Sequence, residues 1–200
     1  MIFENNVSSN RDAFLSKVKS IAAKLFIDPE WLMAVMYLES GINSKAVNSN
    51  GGATGLIQFM PSTAQNLGTS TASLYNMTNV QQLDYVYKYF KPYAGRIYSF
   101  PDLYLITFFP VALGKSDSYV LQTKNLSAET IANANPVFDL DKNKQITVGE
   151  FKEAIYSRLP VNIATYLKKQ TSKMKYLTVA IAILIIAGAS YLLFNSLKGL

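Results

Sequence analysis

The chain has 200 residues, 50% of them hydrophobic, and contains neither His nor Cys. Ser-His-Asp and Cys-His nucleophiles, thiolate chemistry and His/Cys zinc sites are thereby excluded, so any catalysis must come from carboxylates, hydroxyls, amides, Lys or Arg. The formal net charge of +6 does not mark a nucleic-acid-binding face: up to Tyr166 acids and bases nearly cancel, and the surplus is Lys168, Lys169, Lys173, Lys175 and Lys198, which flank the most apolar segment of the chain.

Residues 1–14 carry neither a basic stretch nor a continuous apolar run, and no cleavable export signal is expected there. From Asp12 to Phe26 apolar residues recur at Phe14, Val18, Ile21, Ala22 and Leu25, the spacing of a helix. Asp28-Pro29-Glu30 then reads as N-cap, first-turn proline and first-turn acid, opening a helix whose Trp31, Ala34, Val35 and Leu38 form one stripe before Gly41 ends it. Residues 48–55, NSNGGATG, are too rich in Gly and Asn for regular structure and predict a loop. Further helices are expected over Gln81–Tyr93, Leu103–Leu113, Ser127–Asn133 and Glu150–Arg158, and almost nothing alternates with the period of a strand. The fold class expected is mainly α. Last comes Tyr176–Phe194, 19 residues without a charge; as a helix they would span roughly 28 Å, the thickness of a bilayer's hydrocarbon, with Tyr176, Tyr191 and Phe194 at the interfaces.

One carboxylate has an unusual setting. Glu39 falls in the last turn of the Trp31–Ser40 helix, beside Val35 and Met36. Apolar neighbours and the negative end of the helix dipole both favour its protonated form, the state in which a carboxylic acid protonates a leaving oxygen. Many last-turn glutamates are simply solvated, so this setting alone leaves both readings open.

The residues downstream of Glu39 favour the catalytic reading. After Glu39-Ser40-Gly41 and a short polar loop comes Gly52-Ala53-Thr54-Gly55-Leu56-Ile57-Gln58-Phe59-Met60-Pro61-Ser62-Thr63-Ala64. This pairing of a helix ending in Glu-Ser with a Gly-Leu-x-Gln-x-Met-Pro-x-Thr-Ala segment resembles the soluble lytic transglycosylases, over approximately Phe14 to Leu113. The resemblance implies a lysozyme-like domain that cleaves the bond between N-acetylmuramic acid and N-acetylglucosamine in peptidoglycan. It implies Glu39 as the single acid/base, Ser40 as its support, Gln58 and Met60 as walls of the sugar cleft, and Gly55 as backbone access to the glycan. Members of the family usually carry an Ala-Tyr-Asn-Ala-Gly segment on a later helix. Here the counterpart, residues 105–114, has neither Tyr nor Asn, leaving Tyr104 or Tyr98 to supply the hydroxyl. No acid lies between Glu39 and Asp84, which favours a one-carboxylate mechanism unless Asp84 or Asp102 folds back. Tyr85–Arg96 interleaves rings and cations, as either a sugar-binding surface or an amphipathic helix would.

Residues 139–150, DLDKNKQITVGE, match the calcium loop of an EF-hand at five of its positions. That resemblance implies oxygen ligands from Asp139, Asp141, Asn143, the Gln145 carbonyl, Thr147 and Glu150, and Ca2+ as the ion. Position 6, which normally carries Gly in a left-handed conformation, is Lys144.

The organisation expected is a catalytic domain at 1–115, an EF-hand-like helix-loop-helix module at 116–160, a basic juxtamembrane linker at 161–175, a transmembrane helix at 176–194 and a short tail at 195–200. Partners are then peptidoglycan strands and a lipid bilayer, with no nucleic acid. Arg158 and four lysines precede the apolar run and only Lys198 follows it, so the positive-inside rule places the domain on the cytoplasmic side, away from its substrate. A bacteriophage enzyme reconciles the two, held in a virion membrane or the host inner membrane and acting during infection or lysis. Two alternatives stand beside a transglycosylase: a muramidase hydrolysing the same bond, and a non-catalytic wall-binding or structural virion protein.

Overall fold

The computed structural model describes residues 1–171; the apolar run 176–194, expected to span a membrane, lies outside them. Among the described residues no helix is long and apolar enough to cross a bilayer, and extended structure is confined to isolated bridges.

Helix α1 (Arg11–Leu25) buries Phe14, Val18, Ile21, Ala22 and Leu25 on one side and stops where Phe26 turns left-handed. Helix α2 (Pro29–Ser40) comes directly after it. The Asp28 side chain accepts the Glu30 N–H at 2.8 Å, capping a helix that opens on Pro29. All six residues from Trp31 to Met36 are buried rather than a single stripe, because α2 runs through the centre of the molecule between α1 and α6. Its end is closed by a left-handed Gly41, whose N–H reaches Tyr37 O at 2.8 Å, and by the Ile42 N–H on Met36 O at 3.1 Å. Glu39 is therefore fixed in the last turn of the most deeply placed helix.

Residues 46–59 form a compact loop. Thr54 and Phe59 exchange both backbone hydrogen bonds (3.0 and 2.9 Å), and the Asn48 N–H reaches Ala53 O at 2.8 Å. Short helices α3 (Pro61–Asn66) and α4 (Thr71–Asn76) lead to α5 (Asn79–Phe90). Helix α5 starts two residues earlier than its apolar spacing predicts, because Thr78 and Gln81 form a reciprocal capping box, with bonds of 3.2 and 2.9 Å. Helix α6 (Phe100–Phe108) is capped by Ser99 and ends before Pro110, with a 3-10 turn at Pro110–Ala112 replacing the expected continuation to Leu113.

Helices α7 (Ala128–Ala134) and α8 (Val148–Ser157) bracket the acidic loop. They share one core with the rest: Phe151 is fully buried, and its ring lies 5.0 to 6.0 Å from those of Phe108, Phe138 and Tyr104. Burying a side chain of this size contributes about 1.5–3 kcal/mol. Residues 161–171, expected as linker, are helical, and Leu167 is fully buried. Ile163 and Ala164 pack against the same core beside it.

Candidate active site

Glu39 is partly buried at the C-terminal end of α2. Removal from water pushes its carboxyl above the usual carboxylate range, while a hydrogen bond from the Tyr104 hydroxyl and the positive charge of Arg158 act in the opposite direction. Tyr104 is 5% exposed on α6, and its oxygen accepts a hydrogen bond from Arg158 Nη1 at 3.1 Å. Burial first, and then the Glu39 charge, raise the Tyr104 pKa, so the hydroxyl keeps its proton. Tyr89 on α5 is the third group in range: burial, with smaller contributions from Tyr93 and Glu39, pushes it up to about 12. Of the two tyrosines the sequence offered, Tyr104 lies against Glu39, whereas Tyr98 is 53% exposed at the start of α6.

The other carboxylates raised by the sequence are held elsewhere. Asp84 pairs with Lys17 at 2.8 Å. Asp102 accepts the Tyr98 N–H at 3.2 Å and lies 4.0 Å from Lys152. Neither acts on Glu39.

Tyr89, which feels the Glu39 charge, also lines a small open depression together with Ile57, Gln58, Phe59, Met60, Thr63 and Thr107. Met60 is 49% exposed, an apolar wall open to solvent. Gln58 is held in a left-handed conformation (φ 50°) and donates from Nε2 to Gly55 O at 3.1 Å and Ala46 O at 3.4 Å, which fixes the amide at the rim.

Two of the expected site residues are engaged within the protein. Gly55 does not offer its backbone to a glycan: it is buried, its N–H is used by Ala46 O at 2.8 Å, and its carbonyl accepts from Gln58. A Cβ there would lie 2.4 Å from Gln82 Oε1, so the glycine is required by close packing as well as by its φ of +84°. Ser40 acts as a brace, donating to Met36 O at 3.1 Å and to Leu56 O at 2.9 Å. That second bond ties the end of α2 to the loop that carries Gln58 and Met60.

Residues 16–94 match the family model of the transglycosylase SLT domain. That family consists of peptidoglycan lytic transglycosylases. The SLT segment contains Glu39, the 46–60 loop and Tyr89, but it ends before Tyr104 and Arg158. No solved structure matches the chain. Residues 105–114, the counterpart of the family's Tyr-Asn segment, bring Thr107 to the depression. Tyr89 falls in the Tyr85–Arg96 stretch that the sequence left open between a sugar-binding surface and an amphipathic helix, whereas Arg158 was not singled out for the site. A tyrosine flanking the buried stripe of α5 was a usable signal for Tyr89; nothing local marks Arg158.

Away from this site, Asp139, Asp141 and Glu150 each offer a carboxylate oxygen within 4.8 Å of the others. Asn143 N–H donates to both Asp139 Oδ1 and Asp141 Oδ1 at 3.1 Å, and Lys144 N–H to Asp139 Oδ2 at 3.0 Å. Lys142 and Lys144 are both left-handed, at φ 58° and 66°, a conformation that costs a non-glycine residue about 1–2 kcal/mol. The loop thus makes the turn normally given to Gly, with Lys144 held by Glu129 at 2.9 Å. Thr147 caps α8, and its hydroxyl and N–H both reach Glu150 Oε2 at 2.8 Å. Burial works against ionisation of Glu150, but these bonds and the N–H groups of Asp141 and Leu140 outweigh it and hold the carboxyl below its ordinary value. Asn143 Oδ1 is engaged by the Gln145 N–H at 2.9 Å. A set of three carboxylates with amide and carbonyl oxygens nearby fits a hard divalent cation.

Proposed function

We propose that this protein is a lytic transglycosylase that cleaves the β-1,4 bond between N-acetylmuramic acid and N-acetylglucosamine in peptidoglycan, with Glu39 as its single acid/base. The observation that carries this reading is the isolation of Glu39: a carboxyl with a raised pKa, facing two tyrosines and one arginine, with Asp84 and Asp102 engaged elsewhere. Protonated Glu39 gives its proton to the glycosidic oxygen as the C1–O bond breaks. The resulting carboxylate takes the proton from the muramic acid C6 hydroxyl, whose oxygen bonds to C1 and closes a 1,6-anhydro ring. The proton inventory returns to its start and no water is consumed. A raised pKa serves the first step, and the Tyr104 hydrogen bond with the Arg158 charge steadies the carboxylate needed for the second. Gln58, Met60, Tyr89 and Thr107 form the adjoining sugar wall. Digestion of purified peptidoglycan by the full chain, followed by mass analysis, is expected to give fragments ending in 1,6-anhydro-N-acetylmuramic acid. Reducing ends alone would identify a muramidase instead.

Calcium is the ion we assign to residues 139–150, held by Asp139, Asp141, Asn143, the Gln145 carbonyl, Thr147 and Glu150. Bound there, it would neutralise the acidic cluster and tie the loop to the first turn of α8 through Glu150. Calcium at 100 times its Kd is expected to stabilise the full chain by about 2.7 kcal/mol, a rise of roughly 5–10 °C in Tm, and Asp139→Ala or Glu150→Gln should cancel the gain. An unchanged melting curve would remove the ion from the assignment.

The uncharged run 176–194 and its flanking lysines support tethering to a membrane. The lysine asymmetry further supports a phage enzyme that meets the wall during infection or lysis, and protease accessibility in spheroplasts checks that orientation.

A further inference from the structure

The contact between α6 and the C-terminal end of α8 has no counterpart in the SLT segment, and it reaches Glu39. Arg158 caps α8, and its guanidinium lies 5.9 Å from the ring centres of both Tyr104 and Phe138. From there Nη1 donates to the Tyr104 hydroxyl oxygen at 3.1 Å, across 54 residues of sequence. Arginine has donors and no acceptor. The Tyr104 oxygen must therefore accept from Arg158, which leaves its single O–H free for the neighbouring Glu39 carboxyl, whose charge acts on it. We propose that Arg158 is a positioning residue for the acid/base: by occupying the Tyr104 oxygen it fixes that hydroxyl as a donor to Glu39, and its charge supports the carboxylate form that receives the C6 hydroxyl proton.

This inference rests on the transglycosylase reading for its catalytic consequence, but its physical content is the protonation of Glu39. The groups facing Glu39 are Tyr104 from α6, Tyr89 from α5 and Arg158 from α8. Arg158 is the one permanent cation among them. The guanidinium is itself exposed, so its charge is screened by salt and its hydrogen bond is the less salt-sensitive part of its effect. Removing it has a sign that loosened packing would not reproduce. Loss of the cation and of the oriented hydroxyl raises the Glu39 pKa further, whereas loosened packing admits water and lowers it toward the ordinary value.

The test uses the full chain in detergent with three variants: Arg158→Met, which keeps the stem over the rings, Arg158→Lys, which keeps a donor and a charge, and Arg158→Met combined with Tyr104→Phe. Two readouts are taken, the pH profile of kcat/KM on peptidoglycan and the titration of the Glu39 carboxyl carbon by NMR. Arg158→Met is expected to lower kcat about tenfold, as loss of one hydrogen bond to a charged group does, with little change in KM. Its basic limb and its Glu39 titration should both move to higher pH, and Arg158→Lys should restore much of the difference. Against Tyr104→Phe alone, adding Arg158→Met should cost far less than tenfold, because the path through the hydroxyl is already gone. An unmoved or lowered Glu39 midpoint in Arg158→Met, with wall cleavage intact in the parent protein, overturns the inference. A raised midpoint in a parent protein that cleaves no peptidoglycan leaves the positioning role standing and overturns the transglycosylase reading.

Discussion

Glu39→Gln is expected to abolish wall cleavage while leaving the fold intact. Glutamine keeps the size of the side chain and can still accept from Tyr104, but it can neither deliver a proton to the glycosidic oxygen nor take one from the C6 hydroxyl. General acid/base groups are worth about 10²–10⁴-fold, and a residue that serves in both steps belongs at the upper end. Loss of peptidoglycan turbidity with purified protein measures it, and wild-type rates in the variant would remove Glu39 from the mechanism. The same substitution carries a stability signature. Burial raises the native pKa of Glu39 above its unfolded value, so the native state holds this proton more tightly and loses stability as pH rises between the two values. The E39Q protein escapes that loss. It should melt higher than the wild type above neutrality, with the difference shrinking as pH falls toward about 4, where both states are protonated. A variant both dead and more stable at neutral pH is the pattern of a residue retained for chemistry at the expense of the fold.

The largest structural effect is expected at Gln82, which is fully buried on α5. Its Nε2 donates to Ser44 O at 2.6 Å and Leu74 O at 2.7 Å, and its Oε1 accepts the Leu56 N–H at 3.0 Å. One side chain thus satisfies backbone groups of α4 and of two loop segments, and Gly55 packs directly on it. Leucine has similar volume and satisfies none of them. Each orphaned buried group costs about 1–3 kcal/mol, so Gln82→Leu should destabilise by roughly 3–6 kcal/mol and lower Tm by about 10 °C or more. Activity should fall with it, since Gln58 and Met60 lose the support of their loop. Thermal melting followed by circular dichroism checks this, and a Tm within about 2 °C of wild type would show that water replaces the amide without loss.

Much of the local structure is readable from the chain. The spacing of Phe14, Val18, Ile21 and Leu25 defines α1, and Asp28-Pro29-Glu30 marks the start of α2, because amphipathic periodicity and capping are properties of neighbouring residues. Element ends were less legible. The start of α5 depended on a capping box, and the end of α6 on a proline that shifts the chain into a 3-10 turn. Gln82 was visible as a polar residue four positions before Val86 on a buried stripe, yet its three partners lie 8, 26 and 38 residues away.

The candidate site divides along the same line. Sequence alone determined that a His- and Cys-free protein must rely on a carboxylate, that Glu39 stands at a helix end beside apolar neighbours, and that the Gly-Leu-x-Gln-x-Met-Pro loop comes after it. All of these are matters of composition or short-range spacing. Only the tertiary structure decided what surrounds that carboxylate. Gly55 serves packing against Gln82, Ser40 braces the loop, and Tyr104 faces Glu39 while Tyr98 faces solvent. Arg158, on the last turn of a helix that sequence assigned to a separate module, completes the set. The reason is physical: a pKa is set by burial and by charges within a few ångströms, and those distances are made when α2, α5, α6 and α8 pack together. No spacing along the chain encodes them.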